Sequence, residues 1–247
     1  MGRSVKTEAV VLRSIRYGEA DRILHLYTPE RGRLGAIAKG VRKTKSRFGG
    51  RLEPYHRANL VLHEGRSDLL TVTAADTIEP HAALNRDAGT LDSASRACDA
   101  VSRLFEHADP QPHAYHLLCN ELVLLDALAR REVTDRSVLH ANQIAFRLKL
   151  LVVAGFSPVL SGCVSCGEAE HIGGFSGASG GVVCSSCEGG SFAFGEEAHS
   201  FMTAALGAPL SKSPQASAQA LRQAERAVSE TVEHHAHTHL RVAAAAS

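Results

Sequence analysis

The apolar positions in the first third of the chain recur with a period of two, the pattern of β-strands that are buried on one face. Alternating or β-branched apolar runs occur at residues 5–15, 23–27, 34–38, 58–63 and 69–74. Turn-forming sequences at residues 28–32 and 64–68 join two pairs of these runs as hairpins. Five short strands in residues 5–78 predict a small barrel. We favour an OB-fold over an SH3-like barrel and assign it to residues 1–79.

From residue 80 onward the apolar positions follow the helical period. Helical patterns cover residues 91–108, 117–128 and 135–154, and the third is apolar on nearly all sides at its end, which predicts the buried centre of a bundle. Gly155 suits the position after a helix C-terminus. A short helix is predicted at residues 196–206, and Ser213 with Pro214 suits the N-cap and first position of a final helix. The fold class is therefore α+β, with a helical domain over residues 80–247.

Four cysteines form the most specific chemical signal in the chain. Cys163 and Cys166 make one Cys-x-x-Cys pair, and after seventeen residues Cys184 and Cys187 make a second. This spacing is typical of a four-thiolate zinc site, which leaves no coordination position open for water or substrate. We expect one structural zinc ion per chain, in a module at about residues 160–190. A pair of redox disulfides is the alternative.

Composition narrows the class of protein. With 247 residues and 44% apolar content the chain can bury a sizeable core. No apolar run approaches the roughly 20 residues that a membrane helix requires, so we expect a cytoplasmic protein that does not contact a membrane. Cys98 and Cys119 fall within helical patterns and are predicted to be buried thiols, which suits a reducing compartment.

The net charge of +1 conceals a strong asymmetry. Residues 1–57 carry 14 Lys and Arg against 5 Asp and Glu, a net charge of +9, whereas the rest of the chain carries 13 and 21, a net charge of −8. A basic end on an otherwise acidic chain is typical of a protein that meets a polyanion with that end.

Within the basic end, residues 39–50 concentrate the charge. Five cations, Lys39, Arg42, Lys43, Lys45 and Arg47, can follow a phosphate backbone, and Phe48 offers a ring for base stacking. The alternative is a solvated loop with no ligand. Tyr17, Tyr27 and Tyr55 are further candidates for stacking, or else packing residues of the barrel.

The order of these parts resembles the RecO family of bacterial recombination mediators. The resemblance lies in residues 18–23 (Gly-Glu-Ala-Asp-Arg-Ile), in residues 38–55 with their basic run and Phe-Gly-Gly, in Gly155-Phe156-Ser157-Pro158, and in both cysteine pairs. It covers most of the chain and is weakest over residues 80–135 and the final helix. Some members of the family lack the cysteines, so this chain resembles the zinc-containing type.

The resemblance implies a non-enzymatic DNA repair protein, associated with the nucleoid, that binds single- and double-stranded DNA and anneals complementary strands. It also implies help in loading recombinase onto strands covered by single-strand-binding protein, contact with the acidic tail of that protein, and a complex with RecR. The candidate cations for the tail are Arg130, Arg131, Arg136, Arg147 and Lys149. Of these, Arg147 and Lys149 are interpreted as ordinary cations of a helix surface.

Two other classes of function compete with this interpretation. One is a zinc-stabilised enzyme acting on nucleic acid, with Glu19 and Asp21 as the carboxylates of its site. No Walker loop, His-Glu-x-x-His motif or nucleophile elbow supports it, and carboxylates in a glycine-containing turn usually cap backbone amides. The other is a zinc-ribbon adaptor that binds proteins and has no DNA-binding activity of its own.

Overall fold

The computed structural model describes residues 3–65, 67–106, 108–131, 135–187, 189–236 and 238–241. The chain divides into two compact units, Met1–Arg130 and Arg131–Ser247. None of the helices described is both long enough and apolar enough to cross a membrane.

The first unit contains the predicted five-stranded barrel. Its strands are β1 (Ser4–Tyr17), β2 (Asp21–Thr28), β3 (Gly32–Ala38), β4 (Arg57–His63) and β5 (Leu70–Glu79). They close in the order β1-β2-β3-β5-β4, with β3 parallel to β5 and the other neighbours antiparallel. An irregularity between Val11 and Arg13 lets β1 pair with β4 through its first half and with β2 through its second half. This arrangement is OB-like, as the sequence predicts.

One apolar cluster fills the barrel. It comprises Ala9, Val11, Leu24, Leu26, Ala36, Ala38, Val41, Phe48, Leu52, Ala58, Leu60, Leu62, Val72 and Ala75. Three of these residues, Val41, Phe48 and Leu52, come from the segment between β3 and β4 and not from a strand. The core of the barrel therefore includes the segment that carries the basic run.

Two helices complete the first unit, α1 (Ala88–Leu104) and α2 (Pro112–Ala129). The carboxylate of Asp87 caps α1 by accepting a 2.8 Å hydrogen bond from the amide of Thr90. Cys98 and Cys119, on these helices, are buried free thiols, as predicted. The compact unit thus extends to Arg130. The division of the chain into a barrel domain of residues 1–79 and a helical domain of residues 80–247 stays a prediction.

The second unit is built on α3 (Arg136–Val153), which packs against α4 (Glu196–Gly207) and α5 (Ala218–His235). Along the chain, the segment between α3 and α4 forms a small sheet of three strands, β6 (Ile172–Ser176), β7 (Gly181–Cys184) and β8 (Phe192–Ala193). Their order in the sheet is β7-β6-β8. Gly155 follows α3 with a φ of +84°, the left-handed conformation expected just beyond a helix end.

The predicted start of the final helix is wrong. The helix begins at Ala218 and is capped by Ser217, whose hydroxyl accepts a 3.3 Å hydrogen bond from the amide of Ala220. The hydroxyl of Ser213 instead donates to the carbonyl oxygen of Leu210 at 2.9 Å and closes the preceding short turn. Ser213 therefore ends one element and does not begin the next.

Candidate nucleic-acid interface and metal centre

Residues 39–56 connect β3 to β4 and form what we call the basic loop. Its backbone is anchored from inside the barrel, because Val41 is 8% exposed and Phe48 and Leu52 are each 1% exposed. The base-stacking role predicted for Phe48 requires an open ring face, which this side chain does not have. Phe48 is therefore a packing residue of the barrel core, and the expectation of a loop with almost no apolar anchor is corrected.

Hydrogen bonds to the turn between β1 and β2 also hold the basic loop. The Asp21 carboxylate accepts a 2.7 Å hydrogen bond from the amide of Gly40, which has a φ of +67°. The carbonyl oxygen of Ala20 accepts from the amide of Arg42 at 2.9 Å. The carboxylate of Asp21 thus caps a backbone amide, as the turn sequence predicts, and this contact stabilises the start of the basic loop.

The five predicted cations all have exposed side chains on the basic loop. Among the residues described, Lys39, Lys43 and Lys45 form no ion pair with a carboxylate. The guanidinium of Arg42 donates to the backbone carbonyl oxygen of Glu19 at 3.1 Å. Because this acceptor is not a carboxylate, the contact does not neutralise the charge of Arg42. The guanidinium of Arg47 lies 4.8 Å from the centre of the Phe48 ring.

Arg51, a further cation of the basic loop, was not among the predicted DNA-binding residues. Its side chain is exposed, and its guanidinium donates to the carbonyl oxygens of Arg47 and Phe48 at 3.1 and 3.3 Å. A cation that holds the backbone of its neighbours adds both charge and order to the loop. Its position four residues after Arg47 in a turn-rich segment was the available signal.

Some other arginines of the barrel are paired with carboxylates. Arg57 lies 2.6 Å from a carboxylate oxygen of Glu8, and this partner lowers the pKa of Glu8 below its ordinary value. Arg31 pairs with Glu64 at 2.7 Å. Carboxylates offset these two cations, whereas the five predicted cations of the basic loop form no ion pair with a carboxylate among the residues described.

The three tyrosines proposed as stacking platforms differ in exposure. Tyr27 is fully buried, with its ring centre 6.2 Å from that of Phe105, and burial raises the pKa of its hydroxyl. Tyr55 is half-buried in a left-handed conformation with a φ of 70°. Tyr17 is 54% exposed at the end of β1. Only Tyr17 of the three therefore offers an open ring to a ligand.

The four predicted metal ligands meet in the second unit. The sulfur atoms of Cys163, Cys166, Cys184 and Cys187 all lie within 4.8 Å of one another, and those of Cys166 and Cys184 are 3.7 Å apart. Zinc–sulfur bonds of about 2.3 Å in a tetrahedron separate neighbouring sulfurs by about 3.8 Å, so this spacing fits the ion. All four cysteines are free thiols, and the alternative pair of disulfides is not formed.

The backbone of each cysteine pair folds around its sulfurs. The amide of Gly167 donates to the carbonyl oxygen of Cys163 at 2.8 Å, and that of Cys187 to Cys184 at 2.9 Å. Gly167 has a φ of +82°, which a side chain would strain. The backbone of these turns therefore brings the two sulfurs of each pair together.

Electrostatics of the cluster also suit a cation. Backbone amides, first that of Cys184 and then those of Ser165 and Cys166, lower the pKa of the Cys163 thiol to about 6. The pKa of Cys187 is raised to about 12 by hydrogen bonds with the thiols of Cys166 and Cys184. Four crowded sulfurs cannot all ionise unless a cation offsets their charge, and four protein ligands leave no open position for chemistry.

Of the candidate cations in the second unit, Arg147 is placed differently from its interpretation. Arg147 is 2% exposed, pairs with Glu225 at 3.3 Å and donates to the carbonyl oxygen of Arg241, so its interpretation as a helix-surface cation is wrong. Lys149 donates to the carbonyl oxygen of Leu206 at 2.9 Å, and partial burial lowers its pKa. Arg136 is exposed at the start of α3.

Two family models together match nearly the whole chain. Residues 1–81 match the family described as "Recombination protein O N terminal", and residues 86–242 match "Recombination protein O C terminal". The chain is 38% identical over 182 residues to the "DNA repair protein RecO" of Bifidobacterium animalis subsp. lactis, covering 72% of each. It is 36% identical over 184 residues to that of Rubrobacter xylanophilus, covering 74% of this chain and 71% of the relative. With that of Thermoanaerobacter sp. the identity is 33% over 186 residues, covering 75% and 72%.

Proposed function

Because the chain belongs to the RecO family of DNA repair proteins, we propose that it acts as a recombination mediator in DNA repair. In this role it binds single- and double-stranded DNA, anneals complementary strands and helps to load recombinase onto strands covered by single-strand-binding protein. The DNA-binding activity is assigned to the barrel of residues 1–79. Such a role places the protein on the nucleoid of the cytoplasm.

The observation that carries the proposal is the anchored basic loop. Lys39, Arg42, Lys43, Lys45 and Arg47 are exposed on a backbone that buried side chains hold. Each cation that contacts a phosphate releases counterions, which gives affinity without dependence on base sequence.

Annealing follows from the same charge. Two strands repel each other, and a protein that screens the phosphates while leaving base edges free lowers the barrier to their pairing. No covalent bond forms or breaks in this step, so the proposal requires no catalytic residue. The capping contact of Asp21 with Gly40 supports a structural role for the carboxylate of Asp21.

The four-cysteine cluster is proposed to hold one structural zinc ion. The ion would fix the turns around Cys163 and Cys184 and so stabilise the second unit. Family membership further supports RecR and the acidic tail of single-strand-binding protein as partners. For the tail, the exposed Arg136 is a better candidate than the buried Arg147.

A salt titration tests the DNA-binding part of the proposal. The triple variant Arg42→Gln, Lys43→Gln, Lys45→Gln should flatten the plot of log K against log salt by about 0.7 per lost phosphate contact on single strands, hence by about 2 in total. Its annealing rate, followed with fluorescently labelled complementary oligonucleotides, should fall as well. Its stability should change by no more than about 0.5 kcal/mol, since these side chains are exposed.

A second triple variant controls for net charge. Arg86, Lys212 and Arg222 are also exposed, and replacing them by Gln removes the same charge from other surfaces. This control should keep the wild-type slope and annealing rate. If both triple variants behave like the wild type, the basic loop is only a connector and the DNA site lies elsewhere.

A further inference from the structure

The end of the basic loop meets the segment after β5 in a strained backbone contact. Tyr55, in the loop, has a φ of +70°, and His81, two residues after β5, has a φ of +41°. Both are left-handed conformations, which residues with a side chain keep only where their surroundings hold them. The carbonyl oxygen of Tyr55 accepts a 2.8 Å hydrogen bond from Nδ1 of His81, so the two strained residues hold each other.

This hydrogen bond fixes the proton of the His81 ring. A carbonyl oxygen can only accept, so Nδ1 carries the proton and Nε2 of the neutral ring keeps a lone pair. His81 is 4% exposed, and its Nε2 is buried with no hydrogen-bond partner among the residues described. The contact between Tyr55 and His81 is called the loop latch below.

His56 lies beside the loop latch. Its neighbour Arg57 pairs across the sheet with Glu79, which places His56 next to the residues that follow β5. Its Nδ1 is also buried and has no hydrogen-bond partner in the part of the chain that the structure describes. Burial lowers the pKa of His56 below its ordinary 6.5, and the nearby His81 lowers it further. The closed latch therefore favours a neutral His56.

Little negative charge is available to offset a proton on His56. The carboxylate of Glu53 raises the pKa of His56, as does the backbone of Gly50, but neither outweighs burial. Glu53 is 46% exposed and already pairs with Arg22 at 2.9 Å, so its effect is screened and shared.

The charged groups that other elements bring to this region are paired as well. From α2, the Asp126 carboxylate accepts a 2.7 Å hydrogen bond from the amide of Ala83 and lies 2.5 Å from the guanidinium of Arg130. On the sheet, Arg57 pairs with Glu8. A second positive charge at this place would therefore lack a free counterion.

We propose that protonation of His56 opens the loop latch, so that the end of the basic loop is held at neutral pH and released as the pH falls. The open form exposes the His56 ring to water and binds the proton more tightly than the closed form. The advantage of the closed form is therefore complete above pH 6.5 and is lost as the pH falls below that value. This inference goes beyond the proposed function, because it concerns the order of the loop whether or not the loop binds DNA.

Hydrogen exchange of the full chain, measured by mass spectrometry, tests the latch. The amide of Tyr55 donates to the carbonyl oxygen of Val11 at 2.7 Å and loses this protection when the loop end is released. Peptides from residues 39–56 should exchange faster at about pH 5.5 than at about pH 7.5, with labelling times scaled for the intrinsic rate, whereas peptides from β2 should not. Uptake of one proton changes an equilibrium at most tenfold per pH unit, so the rise can reach about 100-fold.

Substitutions separate the two histidines. His56→Gln keeps a polar side chain of similar reach that cannot be protonated, so exchange of the loop should become independent of pH. His81→Asn keeps a donor near the position of Nδ1 and tolerates the left-handed backbone, so the loop should stay protected at about pH 7.5. His81→Ala removes the donor and should leave the loop open at both pH values. His113→Gln is the matched control, since His113 is exposed on α2, and should behave like the wild type.

Several outcomes would overturn the proposal. One is equal exchange of residues 39–56 in the wild type at both pH values, and another is a His56→Gln variant that keeps the wild-type pH dependence. An equal rise in β2 would show that acid unfolds the whole barrel and opens no local latch. Full protection of the loop in His81→Ala would show that the hydrogen bond to Tyr55 holds nothing. If His81→Ala does not fold, His56→Gln and His81→Asn still decide the question.

Discussion

Replacing Phe48 tests whether its side chain packs in the barrel core or stacks on a DNA base. The ring is 1% exposed inside the barrel core, so Phe48→Ala removes most of a buried aromatic side chain and leaves a cavity. Comparable substitutions cost about 3–5 kcal/mol, and collapse of the loop onto the cavity would place the loss toward the lower end. Phe48→Leu keeps an apolar anchor and should cost about 1–2 kcal/mol.

Urea unfolding measures these losses, and strand binding measured on the folded fraction completes the test. Phe48→Leu should bind single strands like the wild type, because no stacking surface is lost. Phe48→Ala should unfold at clearly lower urea concentration, since its anchor is gone. If both variants kept wild-type stability but lost single-strand affinity, Phe48 would be a stacking residue and its assignment to the core would be refuted.

Two further predictions concern the metal and pH. Elemental analysis should find one zinc ion per chain, and Cys163→Ser should lose it together with stability and yield, whereas Cys119→Ser keeps it; a zinc-free protein that melts at the wild-type temperature contradicts this. Arg57 lowers the pKa of Glu8 below its ordinary 4.5, so the stabilisation from this pair is complete above pH 4.5 and is lost as the pH falls through the lowered value. Since Glu8 is partly exposed, Glu8→Gln should reduce the acid dependence of the free energy of unfolding, measured with urea, by at most about 1 kcal/mol, and an unchanged profile would show that the pair contributes nothing.

The architecture could be predicted because its signals are local. Each barrel strand buries one face, so the two-residue period marked all five, and the fixed spacing of Cys163, Cys166, Cys184 and Cys187 indicated a site whose sulfurs do converge. Hydrogen bonds between near neighbours close the turns of the cysteine pairs, and the burial pattern of each strand lies within its own residues. A pattern read along the sequence can therefore reveal them.

The errors arose where a distant residue decides the outcome. Arg147 has the sequence context of a helix-surface cation, but Glu225, 78 positions away, pairs with it inside the second unit. The start of α5 is fixed by Glu197, which accepts hydrogen bonds from the amide and hydroxyl of Ser217, 20 positions away. Phe48 lies in a run of cations, and only closure of the barrel shows that its ring points inward.

The anchored loop changes the physical account of strand pairing. A disordered cationic loop would lose backbone entropy each time it bound DNA, at about 1–2 kcal/mol per residue ordered. Here Phe48, Leu52 and the contact of Asp21 with Gly40 already fix the backbone, so the proposed binding would restrict little beyond the long side chains. Lysine contacts to phosphate are weak one by one and are screened by salt, so under the proposed function a strand held by Lys39, Lys43 and Lys45 would still be able to shift and dissociate. Annealing needs this combination, because the strands must be held close together while they search for register and must then leave as a duplex.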